Sequence, residues 1–503
     1  MKKIKIENIL NNKGYVSIEA LIVAGLVIAT GAFLTSKLVW KGKDVANSNN
    51  KNMTIASKTM DDNSFINDET VSSSLPLDNK IDSECSLENP PDLADYEYRV
   101  IDDDFINQGL ASIDKEFNSS DIVETIEDTN PSSGDKLSSS SKPTLILIPN
   151  ASGEMMECTK EEVIKMEKES FERLREFKGG VVILNYHGNK ADIEIPSCID
   201  GKKVVVIAPK TFSNKTPFLN KDIIDRPFYE SEIPRGNIKS VKIPNTIKLI
   251  GEGAFESNHL SEVVIPDSVV EIEKEAFKNN DLEKVIISNN IKGLNYGVFG
   301  NNKLKSVIVP NNITYIGYDA FAENELVDVK IPNNVTKIGS YAFRGNKLTS
   351  VIIPNSVLEI GNRAFMGNKL TSVIIPNSVL KIGNGAFADN QLKSLILGNS
   401  VKSIGSSAFN ENQLTSVIIP NSVNEIKEFA FKDNKLTEIK IPASVAKIGR
   451  SAFRNNSLVS VTIPKKFDND RDDYFGKDNK TPWESEEDYE KFTDISDIKF
   501  NLI

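Results

Sequence analysis

Apolar residues recur through the middle of the chain with a fixed period of 22. Phenylalanine falls at 255, 277, 299, 321, 343, 365, 387, 409, 431 and 453. Leucine keeps the same step at 260, 282, 304, 326, 348, 370, 392, 414, 436 and 458, and asparagine stands two residues before each of these leucines, from Asn258 to Asn456. A constant period of this length marks a stack of like units, none of which can bury its apolar edge alone. The pattern therefore predicts a repeat solenoid over 238–464.

One clean copy covers 348–369. Leu348, Val351 and Ile353 are the inward positions of a strand, and Pro354 ends it because proline lacks the N–H that a ladder needs. Val357, Ile360, Ala364 and Phe365 supply the return side. Gly361 and Asn368 stand where the chain must turn, since both residue types tolerate unusual backbone angles. The asparagine column reads as an interior ladder, each amide capping backbone groups of its own and the next turn. At about 4.8 Å between strands, eleven strands make a parallel sheet roughly 50 Å long. Ser288 and Gly398 replace the strand-ending proline and are expected to loosen those turns without breaking the stack.

The unit carries V-x-I-P, I-G-x-x-A-F and a closing N-x-L, and in this it resembles the BspA-like class of leucine-rich repeats. Ile195-Pro196-Ser197, Asp200-Gly201-Lys202, Val206-Ile207 and Phe212 are similar to the opening unit of that class. The resemblance covers roughly half the chain. It implies an α/β-type leucine-rich-repeat solenoid with a parallel sheet on its concave face, borne by a surface protein that adheres to proteins of a host or a neighbouring cell. Between Phe212 and Ile238 the register slips, and 213–235 reads as an insertion, either a loop on a binding face or plain decoration.

Strand residues that alternate with the buried set face solvent in two rows. In the central copies one row is Ser350, Ser372, Ser394 and Ser416. The other is Ile352, Ile374, Ile396 and Ile418, bounded by Lys330 and Lys440. An exposed aliphatic strip can mark an interaction site, but β-branched residues also suit a flat sheet for its own sake. These eight residues are the ligand-binding candidates.

The N-terminus carries a second signal. Residues 20–36 hold no charged side chain, near the lower limit for a bilayer-spanning helix, and Lys2, Lys3, Lys5 and Lys13 precede them. The positive-inside rule keeps that end cytoplasmic and sends the rest outside. Glu19, at the head of the apolar core, fits a secretory signal peptide poorly. The segment resembles the leader of type IV prepilins, in which a short basic leader ends in glycine and the fifth mature residue is glutamate. That resemblance implies a leader over 1–14 cleaved after Gly14, a mature N-terminus at Tyr15, and pilin-type self-assembly. In assembly the costly carboxylate of Glu19 would pair with a neighbouring subunit's amine. The alternative is an uncleaved anchor that keeps 15–40 in the membrane. Beyond the hydrophobic helix of 15–43 the chain turns to Asn, Ser and Asp, unlike the long amphipathic helix of pilins.

Residues 44–143 are acidic and rich in Ser and Asn. Such a composition cannot offset ordering entropy, so a mostly disordered stalk is expected, with short ordered pieces such as 96–101. Residues 144–237 are expected to cap the solenoid. A Thr159–Glu162 capping box would open a helix over 160–177, with Val163, Met166, Phe171, Leu174 and Phe177 on its apolar face. Residues 465–503 lack the repeat but carry Phe467, Tyr474, Phe475, Trp483, Tyr489 and Phe492, and read as the C-terminal cap.

Net charge is −11, and no basic stripe with interleaved aromatics is present, which argues against nucleic acid. Cys85, Cys158 and Cys198 are too widely spaced for a disulfide framework or a zinc pattern. Free thiols are expected, with a Cys158–Cys198 pair as the alternative. His187 and His259 belong to no triad or metal pair, and no P-loop motif occurs. The run DNDRDD at 468–473 alternates carboxylates like a calcium loop. Asp473 stands where that loop needs glycine and Asn479 where it needs glutamate, so a solvated acidic loop is expected. With no catalytic centre, metal or cofactor in view, two classes remain: a surface binding protein, and a minor pilin or pseudopilin.

Overall fold

The computed structural model describes residues 93–118, 146–149, 155–213, 236–476, 495 and 498–503. Each repeat forms one turn of a parallel-strand solenoid, hydrogen-bonded to its neighbours along three lines.

The strand row on the first face forms in segments rather than as one continuous sheet. Asp192–Glu194 pairs in parallel with Ser240–Lys242, Glu262–Val264 with Lys284–Ile286, Ser372–Ile374 with Ser394–Ile396, and Glu438–Lys440 with Ser460–Ile463. Single bridges join Ile308, Lys330 and Ile352. Between segments the turns keep register through bonds such as Thr349 N–H to the Val327 carbonyl, 3.2 Å.

The return side carries the longer ladder, which sequence reasoning did not foresee. Two-residue strands from Gly293–Leu294 to Lys447–Ile448 make one eight-stranded parallel sheet. Glycine makes this approach possible. A Cβ on Gly361 would lie 2.4 Å from Ser340 N and 2.5 Å from Gly339 C, and Gly361 N–H donates to the Ile338 carbonyl at 2.8 Å. Gly361 thus serves contact between turns, not the bend expected of it. The left-handed positions lie two residues before and after each phenylalanine, as at Arg363 (φ 54) and Gly367 (φ 68), and Asn368 is not among them. Along this corner runs the third line: Arg363, Phe365 and Gly367 donate to Asn384, Ala386 and Ala388 of the following turn at 2.7, 2.8 and 3.1 Å.

The return sheet is interrupted once, in the turns where Glu273 and Asn295 replace the column glycine; it runs on past Lys427, the other replacement. Glu271–Ile272 is the last strand of an N-terminal sheet, and Gly293–Leu294 begins the next. Asn295 Nδ2 donates to the Ile272 carbonyl at 2.7 Å. In the next turn a backbone donor does this work, Gly317 N–H to the Leu294 carbonyl at 2.7 Å.

Inside, the phenylalanines stack. Neighbouring ring centroids lie 4.9–5.7 Å apart and neighbouring planes within 16°. The column includes Phe212 before the ten periodic residues and Phe475 after them. Residues 465–476 therefore continue the solenoid instead of only covering its end. Lys499–Leu502 extends the first face in the same way, pairing in parallel with Ser460–Ile463. Within that segment the acidic run forms a 3-10 turn, Lys465–Asp470, and a short helix, Arg471–Phe475, with Arg471 paired to Asp468.

The asparagine column is buried, as expected, but it bonds the preceding turn rather than the next. Asn368 Oδ1 accepts from Leu348 N–H at 3.1 Å, and its Nδ2 donates to the carbonyls of Phe343 at 2.9 Å and Phe365 at 3.1 Å. Neither missing proline loosens its turn. Ser288 Oγ donates to the Val269 carbonyl at 2.6 Å. Gly398 lies so close to Pro376 that a Cβ would meet its carbonyl oxygen at 2.4 Å.

The N-terminal cap begins earlier than expected. Tyr96–Val100 pairs antiparallel with Val181–Tyr186, which pairs in parallel with Lys202–Ile207 and so leads into the return sheet. Helix Asp103–Asn118 packs over this sheet, where Ile101, Ile106, Ile113, Phe171, Leu174, Val182 and Val206 share one core. Thus the short ordered piece expected at 96–101 is a strand, and the helix that follows it corrects the expectation of a mostly disordered segment there. The predicted capping box is present, with Glu162 N–H to Thr159 Oγ1 at 3.2 Å and Thr159 N–H to Glu162 Oε2 at 2.8 Å. The helix runs Lys160–Glu172 and tightens into a 3-10 turn over Arg173–Phe177. Cys158 is a free, buried thiol and Cys198 is disulfide-bonded, so the two do not pair and Cys198 is not the free thiol expected. Cys85, the apolar segment 15–43 and the insertion beyond Ser213 lie outside the described residues.

Candidate interaction face

Alternation along each first-face strand turns Val351, Val373, Leu395 and Val417 inward and leaves the flanking serine and isoleucine outside. Ile352, Ile374, Ile396 and Ile418 are 82, 60, 55 and 85% exposed. The four serines are exposed as well, and pairing sets Ser372 beside Ser394 and Ile374 beside Ile396. All eight candidates thus share one face. Ile308, also exposed, is cut off from the strip by Lys330. The processing candidates Gly14, Tyr15 and Glu19 lie outside the described residues.

Charge along the edge of this face is uneven, and sequence reasoning missed it by following only two rows. Before the strip, three edge lysines have a carboxylate one turn earlier: Lys303 with Asp281 at 2.9 Å, Lys305 with Glu283 at 3.2 Å, and Lys347 with Glu325 at 3.0 Å. The hydrogen bond from Lys347 holds the Glu325 carboxyl below its usual range. Beside the strip the carboxylates stop. Lys369, Lys393 and Lys435 are exposed, and the residues one turn before them are Lys347, Thr371 and Gln413. The signal was available in the sequence as a run of first-strand positions without an acid between Asp328 and Glu438.

Two other clusters resolve into structure. Near the N-terminal cap, Lys210 Nζ meets Glu256 Oε2 at 2.6 Å and Lys274 meets Glu252 at 3.1 Å. Glu273 accepts from the Glu252 N–H at 2.9 Å. Burial, with Glu271 and Glu252 nearby, pushes the Glu273 carboxyl up to about 8. These groups tie turns of the stack together, and among the described residues no set of three or more acidic, His or Cys side chains is placed to hold a metal. On the corner, Tyr341 is flanked by Arg344 and Arg363, 5.7 and 5.4 Å from its ring centroid, and by Tyr318 at 5.0 Å. Its faces are covered, so it offers no open stacking platform.

Residues 228–349 and 358–482 match the family model described as BspA type leucine rich repeat region, in six copies. The repeat region is a BspA-type leucine-rich repeat. No curated protein matches the chain. Similar solved structures include a leucine rich cell surface protein from Faecalibacterium prausnitzii A2-165, 21% identical, covering 65% of this chain and 90% of that one at a TM-score of 0.36. A leucine-rich repeat protein from Bacteroides ovatus ATCC 8483 is 21% identical, covering 65% and 96% at 0.34. The pneumococcal vaccine antigen PcpA is 18% identical, covering 64% and 89% at 0.37. In this chain the BspA-type region extends past the ten periodic phenylalanines to Phe475, within the matched span.

Proposed function

We propose that the chain is a bacterial cell-surface, adhesin-like protein that presents its BspA-type solenoid to a protein partner and has no catalytic role. The carrying observation is the row Ile352, Ile374, Ile396 and Ile418, left in water on a stack whose other repeating apolar columns are buried. Exposed aliphatic surface of this kind is a recognised mark of protein association. The segment 15–43 and the basic residues before it support anchorage in the cytoplasmic membrane with the solenoid outside. Among the described residues, no helix is long and apolar enough to cross a membrane, and 15–43 is not among them.

The test is a binding screen of the protein against extracellular-matrix and neighbouring-cell surface proteins, repeated with Ile374→Lys plus Ile396→Lys. Loss of binding with an unchanged circular-dichroism spectrum supports the reading, and unchanged binding sinks it. A second reading, a minor pilin or pseudopilin, rests on the Gly14–Tyr15–Glu19 pattern. Mass spectrometry of the mature chain separates the two: an N-methylated Tyr15 supports prepilin processing, and an intact Met1 excludes it.

A further inference from the structure

We infer that the isoleucine strip and its lysine edge together recognise an extended, acidic polypeptide segment, with aliphatic side chains on one side and carboxylates on the other. The inference rests on the binding role proposed above and adds the chemistry of the partner.

Three observations converge on it. The first is the break in charge pairing. Lys303, Lys305 and Lys347 each have a carboxylate one turn earlier. Lys369, Lys393 and Lys435 have none in ion-pair reach among the described residues. The chain as a whole carries −11, so this acid-free edge is a local exception. The second is coincidence of place, because the first-strand positions between Asp328 and Glu438, which are serines and not acids, lie on the same turns as the four isoleucines. The third is lateral geometry. Lys393 immediately precedes the strand Ser394–Ile396 and lies three residues before Ile396, about 10 Å at strand rise. A chain lying along the stack sends successive side chains to alternate sides. It can therefore deliver aliphatic groups to the isoleucines and carboxylates to the lysines at once.

Other ligand classes fit less well. A purely anionic polymer leaves the isoleucines in water, and a purely apolar surface desolvates the lysines without compensation. The serine row between them adds hydroxyls that no hydrogen bond within the described residues occupies.

The experiment uses fluorescence anisotropy on the full chain with three labelled peptides: alternating leucine and glutamate, the same with lysine for glutamate, and the same with serine for leucine. The first is expected to bind, with affinity falling as salt rises, and the other two to bind at least about tenfold more weakly. Lys369→Glu with Lys393→Glu should weaken the first peptide on the order of tenfold and reverse the preference toward the lysine peptide. Both substitutions are on the surface and leave folding intact. Equal binding of the acidic and basic peptides, or indifference to the charge reversal, overturns the inference. If a partner found in the screen needs Ile374 and Ile396 but ignores the charge reversal, the binding role stands and only the acidic partner falls. If neither pair of substitutions matters, both readings fall.

Discussion

Asn390 reaches back 25 residues to Phe365: its Nδ2 donates to the Phe365 carbonyl at 2.9 Å while its Oδ1 accepts from Leu370 N–H at 3.1 Å. One side chain therefore closes its own turn and fastens it to the one before. Asn390→Ala strands one buried donor, the Leu370 N–H, while the Phe365 carbonyl keeps only the Asn368 amide at 3.1 Å, and should cost about 1–3 kcal/mol. Asn390→Asp keeps the shape but turns an acidic oxygen toward carbonyls, and should be no better tolerated. Urea denaturation monitored by circular dichroism measures both; a loss below about 0.5 kcal/mol, the range of an ordinary surface change, would contradict the ladder's role.

The two glycines around Phe365 should respond in an order that backbone angle alone does not suggest. Gly367 is left-handed, yet nothing lies closer than 3.7 Å to a Cβ placed there, so Gly367→Ala should cost only about 1–2 kcal/mol. Gly361 is not left-handed, but its Cβ would meet the backbone of the preceding turn at 2.4 Å. Gly361→Ala should be the more damaging of the two, and thermal unfolding of the pair decides it.

Much of this was legible from the period. The phenylalanine, leucine and asparagine columns could be read without coordinates, because one residue type in one place per turn survives any detail of packing. Phe475 shows where such reading stops. It lies 22 residues after Phe453, in perfect step, but the next leucine position is Lys480 and the match fades. The return ladder was invisible for another reason: two-residue strands are too short to display alternation. An ordered piece at 96–101 was legible, but the helix Asp103–Asn118 was hidden by its acidic setting, although Ile106, Leu110 and Ile113 have helical spacing and pack in the cap. The isoleucine strip was found because it is regular, and the lysine edge was overlooked because its feature is the absence of acids.

Glu273 should make stability depend on pH. Its carboxyl rises from 4.5 in the unfolded chain to about 8 when buried, chiefly through desolvation. The folded state thus holds a proton that the unfolded state releases, and stability falls as pH climbs from 4.5 to about 8. Above that range the carboxylate is charged in both states and the penalty is complete. Glu273→Gln should flatten this fall, with little gain near pH 4.5 and a gain on the order of a few kcal/mol near pH 8. Melting temperatures of both proteins across the interval test the sign; parallel curves would refute it.

The last turn should fail first when its ring is removed. Among the described residues Phe475 has one stacked neighbour, Phe453 at 5.3 Å, and meets Phe500 edge to face at 5.7 Å. Phe475→Ala should cost about 3–5 kcal/mol locally and raise hydrogen exchange over 460–463 and 499–502 while leaving 348–435 protected, as expected of nearest-neighbour coupling. Exchange that rises evenly along the solenoid would show a single cooperative unit instead.

Because the asparagine of every turn fastens only to the turn before it, the stack is indifferent to how many turns it contains. Removing 22 residues from the near-identical stretch after 348 brings like partners together again, and inserting 22 does the same. Copy number in this region therefore acts as a ruler: it sets how many isoleucines stand in line, and so how long a partner the face can span, without a single substitution in the core.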